Sequence, residues 1–264
     1  MIELNKEQFQ NIAMLFPKKF SDKVISLFEE KNKFNKDEPA CRVYVDKANN
    51  PIIALKISGN NIEVVGDAEN NEYNEVLLNF IKVNMLHEGS YTFIPPTSAE
   101  WKQKLEKLFA GYVKERWIRH EFRLNKDIFS QHLDWRDKIP DGYIMYSYDC
   151  TCDEFLIKHN RKDNWWSPEY NRFCKAMMKG DEIVSECFSV FYEENVVMVG
   201  IETHEPYRRR GFAYLTASAF IEHCLLNNLE PQWGCWNFNI DSLALAKKLG
   251  FEEFENQLTL ILSK

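Results

Sequence analysis

The stretch Tyr207-Arg208-Arg209-Arg210-Gly211-Phe212-Ala213 joins a strand-like run to a helix-like run. Before it, residues 196–203 are apolar and rich in β-branched side chains, which predicts a buried strand. After it, residues 214–227 carry apolar residues near helical spacing. A basic, glycine-bearing turn that opens a helix presents unpaired backbone N–H groups at the positive end of the helix dipole. The sequence therefore predicts a phosphate-binding site at this turn.

Two small residues of the turn favour close contact between a ligand and the main chain. Gly211 has no side chain to hold a ligand away, and Ala213 keeps the first helical turn clear. Another strand is predicted at 231–238. It is followed by Asn239-Ile240-Asp241-Ser242 and then by Lys248-Leu249-Gly250-Phe251.

These residues resemble the GNAT superfamily of acyl-CoA N-acyltransferases. Arg208-x-x-Gly211-x-Ala213 is similar to the family's (Gln/Arg)-x-x-Gly-x-(Gly/Ala) pyrophosphate motif, and the Asn-x-x-Ser…Lys-Leu-Gly-Phe run is similar to the end of its fold. Gly-Ile-Glu-Thr at 200–203 and Pro-x-Trp at 231–233 resemble the branch that contains zwittermicin A resistance-type acetyltransferases. The resemblance is clear over residues 170–264. It implies an α+β fold with a central twisted mixed sheet, and acetyl-CoA as the acyl donor.

The resemblance also implies which residues bind acetyl-CoA. In the family, the strands on either side of the helix are parallel and splay apart, and the pantetheine arm lies between them. Here Ile201 and Thr203 would pair with that arm through their main chains. Asn239 and Ser242 match positions that contact the arm. The pyrophosphate would lie on Arg208, Arg209, Arg210, Gly211, Phe212 and Ala213, for which a solvated basic turn is the alternative interpretation.

The reaction implied by the family is direct attack of a neutral amine on the acetyl thioester. Glu202 is the candidate base, since a carboxylate within an apolar strand is expected to be buried with a raised pKa; an ion pair is the alternative role. His204 is a candidate proton carrier or an exposed loop residue. Many relatives have a tyrosine, the general acid for the thiolate, where this chain has Ala246. Cys235 is expected to be a packing residue.

The expected activity is N-acetylation of a small-molecule amine, either an amino-acid-like metabolite or a cationic antibiotic. Two alternatives stay open. The absence of a tyrosine at Ala246 favours a non-catalytic acetyl-CoA-binding regulatory module, and an open groove across the splayed strands would favour a peptide or protein N-acetyltransferase.

Charge distribution bears on the choice of partner. The 264 residues have a formal net charge of −7; residues 1–125 contain 18 basic and 18 acidic side chains, so residues 126–264 contain 15 and 22. An acidic half disfavours nucleic acid and favours cationic ligands, although solubility alone explains it equally well.

Composition also sets expectations about location and metals. No run reaches the roughly 18 apolar residues of a membrane helix, and the N-terminus lacks a secretory signal, so a cytoplasmic protein without membrane contact is expected. The seven cysteines are expected to be reduced. Cys150-x-Cys152 is the only close pair, and no partner pair completes a zinc site, so no metal is predicted.

The chain is predicted to divide into a degenerate or accessory domain at 1–125 and a catalytic, acetyl-CoA-binding domain at 126–264. The first half predicts helices within 6–31, strands at 41–46, 51–57 and 61–66, a helix at 73–83, a strand at 91–94, and a helix from Thr97 or Ser98 to about 112. This order resembles that of the second half, which suggests a degenerate half-copy. Residues 66–73 hold three carboxylates and no basic turn. The copy is therefore expected to be structural.

Overall fold

The computed structural model of the protein describes residues 1–29, 40–86, 88, 91–149 and 173–264. The chain forms two compact units. Unit 1 comprises Met1–Ile118 and Gln257–Lys264, and unit 2 comprises Arg119–Asn256. The Cys150-x-Cys152 pair lies outside the described residues. The accessory role predicted for 1–125 and the catalytic role predicted for 126–264 stay predictions.

Unit 1 is built from helices around a mixed sheet. Its helices are α1 (Lys6–Ile12), α2 (Lys18–Glu29), α3 (Asn71–Asn84) and α4 (Ala99–Leu108). Its strands are β1 (Ile2–Leu4), β2 (Arg42–Val45), β3 (Ile53–Ser58), β4 (Asn61–Gly66), β5 (Thr92–Ile94), the start of β6 (Val113–Leu124) and the end of β12 (Phe251–Leu262).

Side-chain caps fix where these helices begin. Asn5 and Gln8 form a reciprocal capping box at α1, with each side chain accepting the other's backbone N–H at 2.9 Å. Ser98 caps α4 by accepting the Trp101 N–H at 3.2 Å. Of the two cap residues that the sequence predicts, Ser98 is therefore the one used.

The sheet of unit 1 contains both strand orientations. β1 to β4 are antiparallel neighbours, β4 is parallel to β5 through Asn61 and Phe93, and β12 is antiparallel to β5. The main core of the unit lies between this sheet and α3 and α4, and includes Leu55, Leu77 and Trp101. A mixed sheet within residues 40–95 is thus present, as the half-copy hypothesis requires.

Unit 2 repeats this design. Its helices are α5 (Lys126–Phe129), α6 (Phe212–Leu226) and α7 (Ile240–Lys248), with 3₁₀ turns at Ser130–Lys138 and Glu205–Tyr207. Its strands are the end of β6, β7 (Ile144–Asp149), β8 (Phe173–Lys179), β9 (Glu182–Glu193), β10 (Val196–Thr203), β11 (Glu230–Trp236) and the start of β12.

The sheet of unit 2 places α6 against its centre. β7, β8, β9 and β10 are antiparallel neighbours, β10 is parallel to β11, and β6 is antiparallel to β11. The face toward α6 buries Val197, Val199 and Trp233 with Leu215 and Phe220. This architecture confirms the predicted α+β fold with a central mixed sheet.

Both units show the same order of elements: antiparallel strands, a helix, a parallel strand and a second helix. Within unit 1 the end of β12 pairs with β5, and within unit 2 the end of β6 pairs with β11. The repeated order supports a doubled domain. In the described part of the chain, no helix has the length and apolar content needed to span a membrane.

Candidate functional site

Unit 2 contains a cleft where β10 and β11 separate. The two strands pair only at Val196–Glu230, Val197–Pro231 and Met198–Gln232. Beyond Met198 they part around a cavity of about 860 Å³, which is lined by Val199–Thr203 on one side and Trp233–Trp236 on the other. We call this cavity the cleft. It matches the splayed strands that the sequence resemblance implies.

The main chain of β10 faces the cleft at alternate residues. The His204 N–H donates to the Val184 carbonyl at 3.0 Å, so His204 directs its main-chain groups toward β9. Because these directions alternate along an antiparallel strand, Ile201 and Thr203 direct theirs away from β9 and into the cleft. The Thr203 carbonyl accepts the Arg208 Nε–H at 3.0 Å.

The turn between β10 and α6 leaves the start of the helix without a side-chain cap. Arg209 and Gly211 adopt left-handed conformations, with φ of +59° and +86°. Gly211 is the N-cap, and no side chain of the described residues accepts from the first turn of α6. The N–H groups of Phe212, Ala213 and Tyr214 therefore have no intrahelical acceptor. Such a turn is an anion-binding surface.

The three arginines of the turn have different environments. Arg208 and Arg209 line the cleft, and Arg209 lies 3.8 Å from the Asp241 carboxylate in an exposed ion pair. Arg210 does not line the cleft. It lies over the Phe212 ring at 5.3 Å and donates to the Tyr143 hydroxyl at 3.3 Å. The structure therefore gives Arg210 a packing role instead of bringing it to the predicted phosphate site.

Asn239 and Ser242 both line the cleft, and both also support the local fold. The Asn239 side chain caps α7 by accepting the Ser242 N–H at 3.3 Å. The Ser242 hydroxyl accepts the Trp233 Nε1–H at 3.0 Å. The second of these bonds joins the start of α7 to β11 at the edge of the cleft.

The structure separates the two candidate catalytic residues. Glu202 lines the cleft, but its side chain is exposed, so the expectation that it is buried is wrong. Val197, Val199 and Ile201 face the α6 core, and alternation therefore places Glu202 on the opposite, open face. His204 is half-buried and does not line the cleft. Glu202 stays a candidate base on its position alone.

Cys235 and Ala246 behave as packing residues. Cys235 lines the cleft, and burial raises the pKa of its thiol, which keeps the sulfur protonated. Ala246 is fully buried in the core of unit 2 and offers no proton donor. No described group of three or more His, Cys, Asp or Glu residues is arranged to hold a metal ion.

Sequence reasoning missed several polar residues that line the cleft, Tyr214 and Arg119 among them. The Tyr214 hydroxyl lies 3.1 Å from His132 Nδ1, and its ring lies 4.7 Å below the Lys248 ammonium. Its place directly after the basic turn could have identified it. Arg119 lies on β6 and reaches the cleft only because β6 pairs with β11. No local pattern predicts that pairing.

Comparison with known proteins identifies the family. A family model described as GNAT acetyltransferase matches residues 35–259. The chain belongs to this family. It is 27% identical over 199 residues to a Bacillus subtilis protein named uncharacterized N-acetyltransferase YdfB, covering 72% of each chain.

Solved structures with similar folds extend over almost the whole chain. A GCN5-related N-acetyltransferase-like protein from Streptococcus suis has a TM-score of 0.56 at 19% identity, covering 98% of this chain and 100% of its own. A tandem GNAT protein from the clavulanic acid biosynthesis pathway has a TM-score of 0.65 at 11% identity, with 98% and 97% covered. These identities show the fold alone. The tandem neighbour agrees with the repeated element order, and the zwittermicin-type branch stays a prediction.

Proposed function

We propose that this GNAT acetyltransferase transfers the acetyl group of acetyl-CoA to the amine of a small molecule by direct attack. The observation that carries the proposal is the cleft between β10 and β11, which opens beside the uncapped start of α6. The cleft gathers nearly all of the predicted cofactor residues: Ile201, Thr203, Arg208, Arg209, Gly211, Phe212, Ala213, Asn239 and Ser242.

The donor would be bound mainly by the main chain. The pyrophosphate fits the free N–H groups of Phe212 and Ala213, with Arg208 and Arg209 adding positive charge. The amide groups of the pantetheine arm fit the main-chain groups of Ile201 and Thr203, as a strand added to β10 would. Such binding fixes the thioester where the two strands part.

The chemistry would then be acyl transfer without a covalent enzyme intermediate. The amine nitrogen attacks the thioester carbonyl carbon, the C–N bond forms as the C–S bond breaks, and CoA leaves as a thiolate that takes up a proton. A backbone N–H of β10 suits the developing oxyanion, and Glu202 is placed to accept the proton that the amine loses. Direct attack needs no enzyme nucleophile, and burial raises the pKa of the Cys235 thiol, which disfavours the thiolate that such a role would require.

A non-catalytic acetyl-CoA-binding module is the second candidate, because Ala246 removes the usual proton donor for the thiolate. A peptide or protein acceptor is the third, as an open cleft also admits an extended chain. The three candidates share acetyl-CoA binding and differ in turnover.

The test combines binding with turnover. Calorimetry with acetyl-CoA, and with adenosine as a control, should show that binding requires more than the adenosine moiety. Release of the CoA thiol is then followed with small amines, with peptides and with no acceptor. We expect amine-dependent release. Binding without release in any arm would support the regulatory module, release with peptides alone would support the peptide acetyltransferase, and absent binding would reject all three.

A further inference from the structure

Arg119 is held in a fixed position on β6. Its Nε donates to the Glu121 carboxylate at 2.6 Å, and its guanidinium lies 5.7 Å from the centre of the Trp236 ring. Arg119 is paired with Trp236, and Glu121 with Gly234, across β6 and β11. An arginine held at one nitrogen and against one ring loses little further entropy when it binds a ligand.

The absence of a side chain at Gly234 makes room for this arrangement. A Cβ built at Gly234 would lie 2.4 Å from an Arg119 Nη atom and 2.7 Å from a Glu121 carboxylate oxygen. The guanidinium therefore lies directly on the main chain of β11. Gly234 follows the last residue that pairs with β10 by two positions, so this contact is at the point where the cleft opens.

Arg119 keeps donors available there. Its side chain is 34% exposed and lines the cleft. Guanidinium has five N–H groups, and among the described residues only the Nε–H of Arg119 makes a hydrogen bond. The Nη groups form the planar fork that binds carboxylates in pairs of hydrogen bonds.

A complementary charge lies on the same face of the sheet. Trp233 and Cys235 face the α6 core, so Gly234 and Trp236, with Arg119 and Glu121 beside them, face the other way. Glu202 also faces away from α6, and its carboxylate has no hydrogen bond or ion pair among the described residues. Glu202 and Trp236 both line the cleft.

From this geometry we infer that Arg119 binds a carboxylate of the acceptor, so that the acceptors are amines of the amino-acid type. The inference rests on the proposed acyl transfer and names its acceptor class. The acceptor carboxylate lies on the Nη fork of Arg119 while its amine, on the Glu202 side, faces the thioester. Glu121 is a positioning residue, because it holds the guanidinium plane through Nε.

The test compares amino acids with their C-terminal amides. The amide keeps the amine and side chain and loses the negative charge. With saturating acetyl-CoA, wild-type protein should use the amino acid in preference to its amide. Arg119→Gln should raise KM for the amino acid about ten- to hundredfold, the effect of losing a charge-assisted pair, and leave KM for the amide unchanged. Arg119→Lys should lie between.

Two further variants separate this role from a structural one. Arg123→Gln is the matched control, since Arg123 lies on the same strand and face, packs over Phe254 at 4.0 Å and does not line the cleft. It should leave both acceptors unaffected. Gly234→Ala places a methyl group against the guanidinium and should reduce the preference for the carboxylate while Arg119 is intact.

Failure of the inference and failure of the proposed function give different results. Equal losses with the amino acid and the amide, or a wild-type protein without preference for the carboxylate, would overturn the inference and leave acyl transfer standing. If wild-type protein acetylates no amine, calorimetry with the same amino acids and the CoA complex tests whether Arg119 binds their carboxylate. Binding that requires Arg119 would support the carboxylate site alone, and no binding would overturn it.

Discussion

Both units contain a strand, a helix and a second, parallel strand in the same order. They differ in what lies beside the strand before the helix, which is β4 in unit 1 and β10 in unit 2. In unit 2, Ile201 and Thr203 direct main-chain groups into the cleft. In unit 1, the corresponding residues are Val64 and Gly66, which face away from β3 because Asp67 bonds to the Ile52 carbonyl. Both of these carbonyls already have donors, since the Thr97 hydroxyl bonds to Val64 and the Trp101 Nε1–H bonds to Gly66 at 2.9 Å. In unit 2 the Thr203 carbonyl accepts from Arg208, and the Ile201 carbonyl has no donor among the described residues.

The turns at the helix starts differ in the same sense. At α3 the Asn70 side chain accepts the Tyr73 N–H at 3.1 Å, so the helix caps itself. Asp67 and Glu69 add negative charge beside it. At α6 Gly211 provides no cap and arginines surround the turn. The same topology therefore gives a helix start that is capped by its own side chain in unit 1 and a helix start with free N–H groups in unit 2.

The largest expected effect comes from placing a carboxylate in the open turn. Gly211→Glu should abolish acetyl-CoA binding, lowering affinity more than about a hundredfold, because the new charge repels the pyrophosphate where the N–H groups point. Isothermal titration calorimetry measures it.

The control for this variant is Gly142→Glu. Gly142 has a similar φ of +81°, equally open space around a built Cβ, and a position outside the cleft. It carries the same backbone strain and the same added charge, and it should bind acetyl-CoA normally. Normal binding by Gly211→Glu would show that the turn is misassigned.

The second largest effect is expected at Trp101. It tests whether this side chain alone keeps unit 1 from binding acetyl-CoA. Trp101 is 1% exposed, so Trp101→Ala should lower the free energy of unfolding by about 3–5 kcal/mol. We still expect one acetyl-CoA per chain, because the acidic turn and the Asn70 cap remain. Thermal melts and calorimetric stoichiometry report the two results, and Trp101→Phe, which keeps most of the volume, should cost less. Binding of a second acetyl-CoA per chain would mean that the Trp101 side chain alone prevents binding in unit 1.

The two helix caps offer a matched pair with a smaller effect. Asn70→Ala and Asn239→Ala each remove a side-chain acceptor from a helix start, and each should cost about 1 kcal/mol of stability. Only Asn239 lines the cleft. Acetyl-CoA affinity should therefore fall with Asn239→Ala and not with Asn70→Ala, as measured by calorimetry beside urea unfolding. Equal affinities would reduce Asn239 to a structural cap.

What the sequence predicts well is contained in contiguous segments. The strand, turn and helix from Val196 to Leu226 follow one another, so local periodicity and the glycine are sufficient. Local patterns do not predict that Arg119 lies at the cleft, because its partners Gly234 and Trp236 are on a strand that is distant in sequence. The expectation that Glu202 is buried rests on its apolar neighbours in sequence. It is wrong because those neighbours face the α6 core, and alternation places Glu202 on the opposite, exposed face of β10.

The smallest expected effect concerns the ion pair between Arg209 and Asp241. It links the basic turn to the first turn of α7, and both side chains are more than four-fifths exposed. Solvent screens such a pair, so its strength is slight. A bound pyrophosphate would compete with Asp241 for Arg209, and Asp241→Asn should therefore tighten acetyl-CoA binding by up to about fivefold at low salt. Raising the ionic strength should remove the difference. Weaker binding by the variant would show instead that Asp241 contributes to the ligand site, a role with no counterpart in the acidic turn of unit 1.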